Sequence, residues 1–176
     1  VLAKRYAKWF AWPIYIEKDD ILSDHSKRSG GYVGRRVLAE IDSGTNPLLM
    51  IDLINVGTSA VDWLVENCDF QVFPFTASAR TSPSRTVQGG LQIANDRTWA
   101  YWNMRVLLDP QNGHELMLPP SPKLRADLTA PRYEIRSGTI HMESKDKIKL
   151  RLGRSTDTGD AFTLAALEDL LPVFRV

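Results

Sequence analysis

Apolar and polar positions change their period several times along the 176 residues, and each change marks an element. Near the start, Trp9, Phe10, Trp12, Ile14, Tyr15 and Ile16 crowd aromatic and β-branched side chains together, which predicts strands. Over residues 30–42, Val33, Val37 and Ile41 recur at i, i+4 and i+8, which predicts a short helix. Leu48-Leu49-Met50-Ile51-Asp52-Leu53-Ile54 is an apolar run broken by one carboxylate, the pattern of a buried parallel strand. Ala60, Val61, Leu64 and Val65 predict a helix over 58–68, and residues 70–75 read as the next strand. Residues 76–90 are rich in Ser, Thr, Gly and Pro without apolar period, so a mobile loop carrying Arg80 and Arg85 is expected. Residues 95–109 read as a helix with the stripe Trp99, Trp102, Val106 and Leu107. Pro119, Pro120 and Pro122 are expected to end that region. Residues 133–135 and 139–142 predict a hairpin turning at Ser137-Gly138. A last helix is expected over 158–171, with Thr156-Asp157 as the cap candidate. The order of elements predicts an α/β fold with a mixed sheet. Trp9, Trp12, Trp99 and Trp102 read as core rather than as a base-stacking platform.

Composition narrows the class. With 43% hydrophobic and 24% charged residues, the chain matches a folded domain of ordinary size and neither a disordered nor a fibrous one. No apolar run approaches the roughly 20 residues of a membrane span. The lone Cys68 excludes an internal disulfide and a Cys-based zinc cluster, and His25, His114 and His141 form no metal-ligand pair. No apolar signal segment precedes the first strands, so an intracellular setting is expected, and a start at Val1 suggests an excised domain or a processed product.

The net charge of +1 hides a segregation. Residues 37–70 hold six acidic side chains and no Lys or Arg, whereas residues 123–154 hold nine basic against four acidic and residues 1–36 eight against four. Acids gathered beside basic rims suit a metal site next to a polyanion, although solvated helix faces give the same counts.

Three carboxylates carry the chemistry. Asp52 sits inside an apolar run, where an unpaired ionised group is costly, so it needs a cation, a metal, water at the sheet end, or a role capping the helix that follows at Gly57-Thr58. Asp157 and Asp160 are three apart at a helix start and can face one side. The helix dipole favours one of them and does not account for both, although plain N-capping remains the ordinary alternative. Together with Asp52 they would offer the oxygen ligands that Mg²⁺ prefers, and two such ions would stabilise the attacking and leaving oxygens of a phosphodiester.

These features resemble a known family. MIDLINVGTSAVDWL is similar to the strand–Gly–helix segment in the C-terminal nuclease domain of phage terminase large subunits. IANDRTWAYW resembles that family's Asn-x-Arg-Ala-x-x-Trp-Trp helix. KLRADLTAPRY, GTIHMESKDKIKLRLGRS and TDTGDAFTLAAL follow in the family's order and spacing, so that the resemblance covers about residues 30 to 170.

The resemblance implies a ribonuclease H-like fold, one nuclease domain over residues 1–176, and two-metal cleavage of double-stranded, concatemeric viral DNA with Mg²⁺ or Mn²⁺. It implies that Asp52, Asp157 and Asp160 are catalytic metal ligands, with Asp160 the stronger candidate of the last two. Lys145, Lys147, Lys149, Arg151 and Arg154 fall just before those acids and would suit phosphate contacts, as would Arg80 and Arg85 if their loop closes on DNA. By period, residues 147–152 alternate as a strand does, whereas the family places a helix there. Partners implied are the portal protein, a small terminase subunit and an N-terminal ATPase domain, in the host cell cytoplasm. The chain has no G-x-x-x-x-G-K-[ST] phosphate loop, so that motor would lie elsewhere. One departure stands out: the family's first catalytic Asp, on a first strand, has no match, and Asp19, Asp20 and Asp24 have the wrong context. That gap leaves a second reading open, a DNA-binding or assembly module of the packaging motor that does not cut.

Overall fold

The computed structural model describes residues 1–15, 29–54, 56–80, 86–87 and 89–167. Contacts divide it into two units: Tyr15–Thr76, and Val1–Ile14 together with the described residues from Ala77 onward.

In the first unit, α1 (Gly30–Ala39) is capped by Ser29, whose side chain accepts from the Tyr32 amide. It is followed by β3 (Leu48–Asp52), α2 (Gly57–Asn67) and β4 (Gln71–Phe75). β3 and β4 pair in parallel from Leu48 opposite Gln71 to Asp52 opposite Phe75, with α2 as the crossover between them. The helices approach closely because the contact is glycine: a Cβ on Gly30 would lie 2.0 Å from the Ser59 backbone carbonyl, and one on Gly34 would lie 2.2 Å from the Trp63 ring. Ala60 and Leu64 are the fully buried residues of α2. Each buried Leu contributes on the order of 2 kcal/mol.

The second unit opens with a small antiparallel pair, β1 (Arg5–Tyr6) and β2 (Trp9–Phe10). Phe10 is buried and stacks on Phe162 at 4.9 Å, inside a cluster with Met104, Leu124 and Ala166. Trp9 and Trp12 do not join it: they are 47% and 60% exposed, and Trp9 lies flat on Tyr6 at 4.4 Å. Strand alternation explains Trp9, since burying Phe10 sends its neighbour to the opposite face.

A three-stranded mixed sheet follows, with β7 (Thr139–Met142) between β5 (Gln92–Ile93), which is parallel to it, and β6 (Tyr133–Arg136), which is antiparallel. The β6–β7 turn is at Ser137-Gly138 as expected, both at positive φ (47° and 75°), the geometry of a tight two-residue hairpin. Helix α3 (Asp96–Leu108) is capped by Asn95, whose side chain accepts from the Thr98 amide.

Two helices differ from the sequence pattern. Residues Pro122–Thr129 form α4, where the prolines were expected only as a terminator. Ser121 caps it and Pro122 takes the first helical position, where its fixed φ fits and its lacking N–H costs nothing. Lys145–Leu152 forms α5, not a strand: Ser144 caps its start and Gly153 ends it in the left-handed region at φ 75°. Ile148 is 1% exposed and Leu150 is 88% exposed, so the alternation was produced by a helix with one inward side chain. The last helix, α6 (Asp157–Ala165), starts one residue before the expected 158. Among the described residues no helix is long and apolar enough to cross a membrane.

Candidate active site

Asp160 sits in the first turn of α6, and its side chain is 14% exposed. Four groups from three elements converge on it. The Lys145 ammonium, at the start of α5, lies 2.9 Å from Oδ2. The Tyr101 hydroxyl, from α3, donates to Oδ1 at 2.9 Å. Arg97, one helical turn before Tyr101, places Nε 3.7 Å from Oδ1, and its guanidinium lies 5.3 Å from the Tyr101 ring centroid. The Thr156 hydroxyl donates to Oδ2 at 3.3 Å. Arg97 is fixed from behind by donating to the Glu143 carbonyl at 3.0 Å. Burial, and then the Asp160 charge, push the Tyr101 phenol far above its ordinary pKa, so it remains a donor to that carboxylate.

Asp157, one turn earlier, is exposed and accepts from the Ser155 hydroxyl. Beneath this turn lies a residue the sequence reading did not single out. Asp127 of α4 is 0% exposed, accepts the Gly159 amide at 3.1 Å and forms an ion pair with Arg154.

The other expected acid, Asp52, is the last residue of β3 in the other unit, partly buried, with Oδ1 3.3 Å from the Ile54 amide. Immediately behind it, Gly57 brings the start of α2 against the Asp52 carbonyl, where a Cβ would lie 1.8 Å away.

The basic residues separate by environment. Lys145 faces Asp160, Arg151 makes two bonds to the Glu143 carboxylate, and Arg154 is the partner of Asp127. Arg151 holds the Glu143 carboxyl below the usual range. Lys147, Lys149 and Arg80 are exposed, and Arg85 lies outside the described residues. Arg97, Tyr101 and Asp127 were missed from sequence. Arg97 and Tyr101 carried one signal, an i, i+4 spacing on a helix otherwise read for its tryptophans.

The donor chemistry of Asp157 and Asp160, hard carboxylate oxygens with a cation already drawn to one of them, suits Mg²⁺ or Mn²⁺. Among the described residues, no three His, Cys, Asp or Glu side chains gather as a metal-holding group.

Comparison with family models and with curated proteins finds no match. Comparison with solved structures does. The nuclease domain of the large terminase subunit gp2 of bacterial virus Sf6 superposes with a TM-score of 0.66 at 16% identity, covering 93% of this chain and 80% of that one. A lysine-to-alanine variant of that domain with manganese gives 0.65 at 15% identity, over 93% and 81%. A variant with calcium gives 0.65 at 16%, over 93% and 80%. The fold of this chain is therefore the mixed α/β, ribonuclease H-like fold of a large-terminase nuclease domain.

Proposed function

We propose that the chain is the nuclease domain of a viral DNA-packaging terminase, an endonuclease that hydrolyses phosphodiester bonds of double-stranded, concatemeric DNA with divalent metal ions. The observation that carries this reading is the fold likeness, which runs through both units. It is supported by a largely buried carboxylate at a helix start, flanked by two cations, on the segment where the sequence resembles that family. Neighbours solved with manganese or calcium support a divalent ion.

In this reading Asp52 and Asp160 would be metal ligands, and Asp157 a ligand or a partner that orients one. Mg²⁺ or Mn²⁺, as a pair, would supply Lewis acidity toward the phosphoryl oxygen and activation of the attacking water. The residues of the chain do the rest. Tyr101 fixes one oxygen of Asp160, leaving the other on the side of Lys145. Arg97 and Lys145 compensate the carboxylate charge, so the acid is tolerated in a largely buried setting. Lys147 and Lys149, exposed on α5, contact phosphates without reading sequence, and Arg80 and Arg85 are further candidates for such contacts. Hydrolysis leaves a 3′-hydroxyl and a 5′-phosphate. The domain would work beside an ATPase domain, the portal protein and a small terminase subunit in the host cell.

Incubation with supercoiled plasmid tests the reading. Nicked and linear products are expected with Mg²⁺ or Mn²⁺ and not with chelator. Intact plasmid in the presence of both metals would count against it.

A further inference from the structure

Helix α6 carries two of the acids assigned above, yet, like α2 with Val56 at its cap position, it lacks the side-chain cap of the other described α-helices. Ser29, Asn95, Ser121 and Ser144 each cap their own helix through a side-chain oxygen, whereas Thr156, at the cap position of α6, makes no such bond. The Thr156 hydroxyl is turned to Asp160 instead. The amide of Gly159, the third residue of the helix, is where a cap would bind. That amide donates to Oδ2 of Asp127, 32 residues earlier on α4.

Asp127 reaches it because position 159 has no side chain: a Cβ on Gly159 would lie 2.8 Å from the Asp127 Cβ and 3.2 Å from the Tyr101 hydroxyl. The other oxygen of Asp127 takes Arg154, whose Nη1 also donates to the Ser155 carbonyl at 3.0 Å and whose Nη2 donates to the Lys123 carbonyl at 3.4 Å. One carboxylate and one guanidinium thus tie together the start of α4, the connection at 154–156 and the first turn of α6. That first turn is the turn bearing Asp157 and Asp160. A fully buried carboxylate needs such partners, and an anion at a helix N-terminus is further favoured by the dipole.

We infer that Asp127 is a positioning residue: it caps α6 from outside and, through Arg154, fixes the direction in which Asp157 and Asp160 present their carboxylates. This rests on the nuclease reading, because it assigns a role in metal binding and not in fold stability alone. Groups of this kind, which orient the ligands without touching the ion, typically cost 10–100-fold in metal affinity or activity when lost.

The test compares Asp127→Asn with Ile140→Ala, a cavity variant in the three-stranded sheet that lowers stability without touching the α6 turn. Three quantities are read: melting temperature, amide exchange at Gly159, and the Mn²⁺ concentration giving half-maximal plasmid cleavage. Asp127→Asn leaves one uncharged acceptor oxygen where Gly159 and Arg154 each had their own, and is expected to speed exchange at the Gly159 amide and to raise the Mn²⁺ requirement roughly tenfold. Ile140→Ala is expected to lower the melting temperature with the Mn²⁺ requirement unchanged. Should Asp127→Asn not fold, Arg154→Lys carries the test, with a smaller rise in the same direction. An Mn²⁺ requirement that stays at the parent's value in the folded variant would overturn the inference. A parent that never cleaves overturns the nuclease reading instead, and the two failures are told apart by the parent lane.

Discussion

The two units of this chain are put together by different physics. Residues 15–76 carry ten acidic and five basic side chains, and residues 1–14 with 77–176 carry eleven acidic and seventeen basic, so one is net −5 and the other +6. The acidic unit is organised by close approach: Gly30 and Gly34 let α1 lie against the backbone and Trp63 of α2, and Gly57 lets α2 begin against β3. The basic unit contains a polar interior, with Asp160 among Lys145, Arg97 and Tyr101, and Asp127 beneath it on Arg154 and Gly159. Packing by shape needs only small residues at fixed spacing. A buried charged network needs several partners from distant segments at once, and losing one leaves the rest uncompensated.

The largest effect expected from this contrast is at the basic unit's centre. Asp160→Asn should reduce plasmid cleavage by more than the roughly 100-fold that losing an outer-shell partner typically costs. Circular dichroism should find the fold retained, because Asn keeps the shape and can still accept from Tyr101. In the acidic unit the largest effect is steric. Gly34→Leu drives a side chain into the Trp63 ring and should destabilise by about 3 kcal/mol, at the upper end of the ordinary overpacking range. Hydrogen exchange should place the loss first in α1 and α2. If exchange instead rises equally in α3 and α6, the two units are not separable in stability.

A smaller effect separates exposed cations from engaged ones. Replacing Lys147 or Lys149 by Ala should weaken DNA binding equally on all sequences and lower the salt slope by about one unit per lost phosphate contact. Arg151→Ala should leave that slope unchanged, because Arg151 is committed to Glu143. The smallest effects are those of pH. Tyr101 has a folded-state pKa above its unfolded value, so its contribution is complete below about pH 10 and stability falls as pH rises past that point, where only the unfolded chain releases the proton. Glu143 has a folded-state pKa depressed by Arg151, so its contribution is present above about pH 4 and is lost on acidification through the folded value. Tyr101→Phe should remove the alkaline loss in a thermal melt series.

The acidic unit was also the more legible of the two. The run at 48–54, the helix stripe of Ala60 and Leu64 and the strand at 70–75 are local patterns, and β3, α2 and β4 follow them within two residues at each end. In the basic unit, α3 and the β6–β7 hairpin were equally plain. Helix α5 was not, because Ile148, Leu150 and Leu152 alternate with cations and only a tertiary neighbour decides that Leu150 faces water. Helix α4 was hidden by three prolines, one of which begins it. Of the candidate site, the acids were proposed by type and position, since Asp160 precedes an apolar helix face. That Lys145 serves Asp160, whereas Lys147 and Lys149 face solvent, follows from α5 being a helix and was beyond the period of the sequence. Asp127 gave no local signal, since a lone acid on a short polar helix has the pattern of a solvated one.

The central claim is the proposal that Asp52 and Asp160 are each required for metal-dependent cleavage, and it is tested most directly by one assay. Supercoiled plasmid with Mn²⁺ is incubated with the parent chain, with Asp52→Asn and with Asp160→Asn, each confirmed folded. The account predicts cleavage by the parent that each substitution alone abolishes. Cleavage that persists in either variant would contradict it, because that acid would then be dispensable to the reaction.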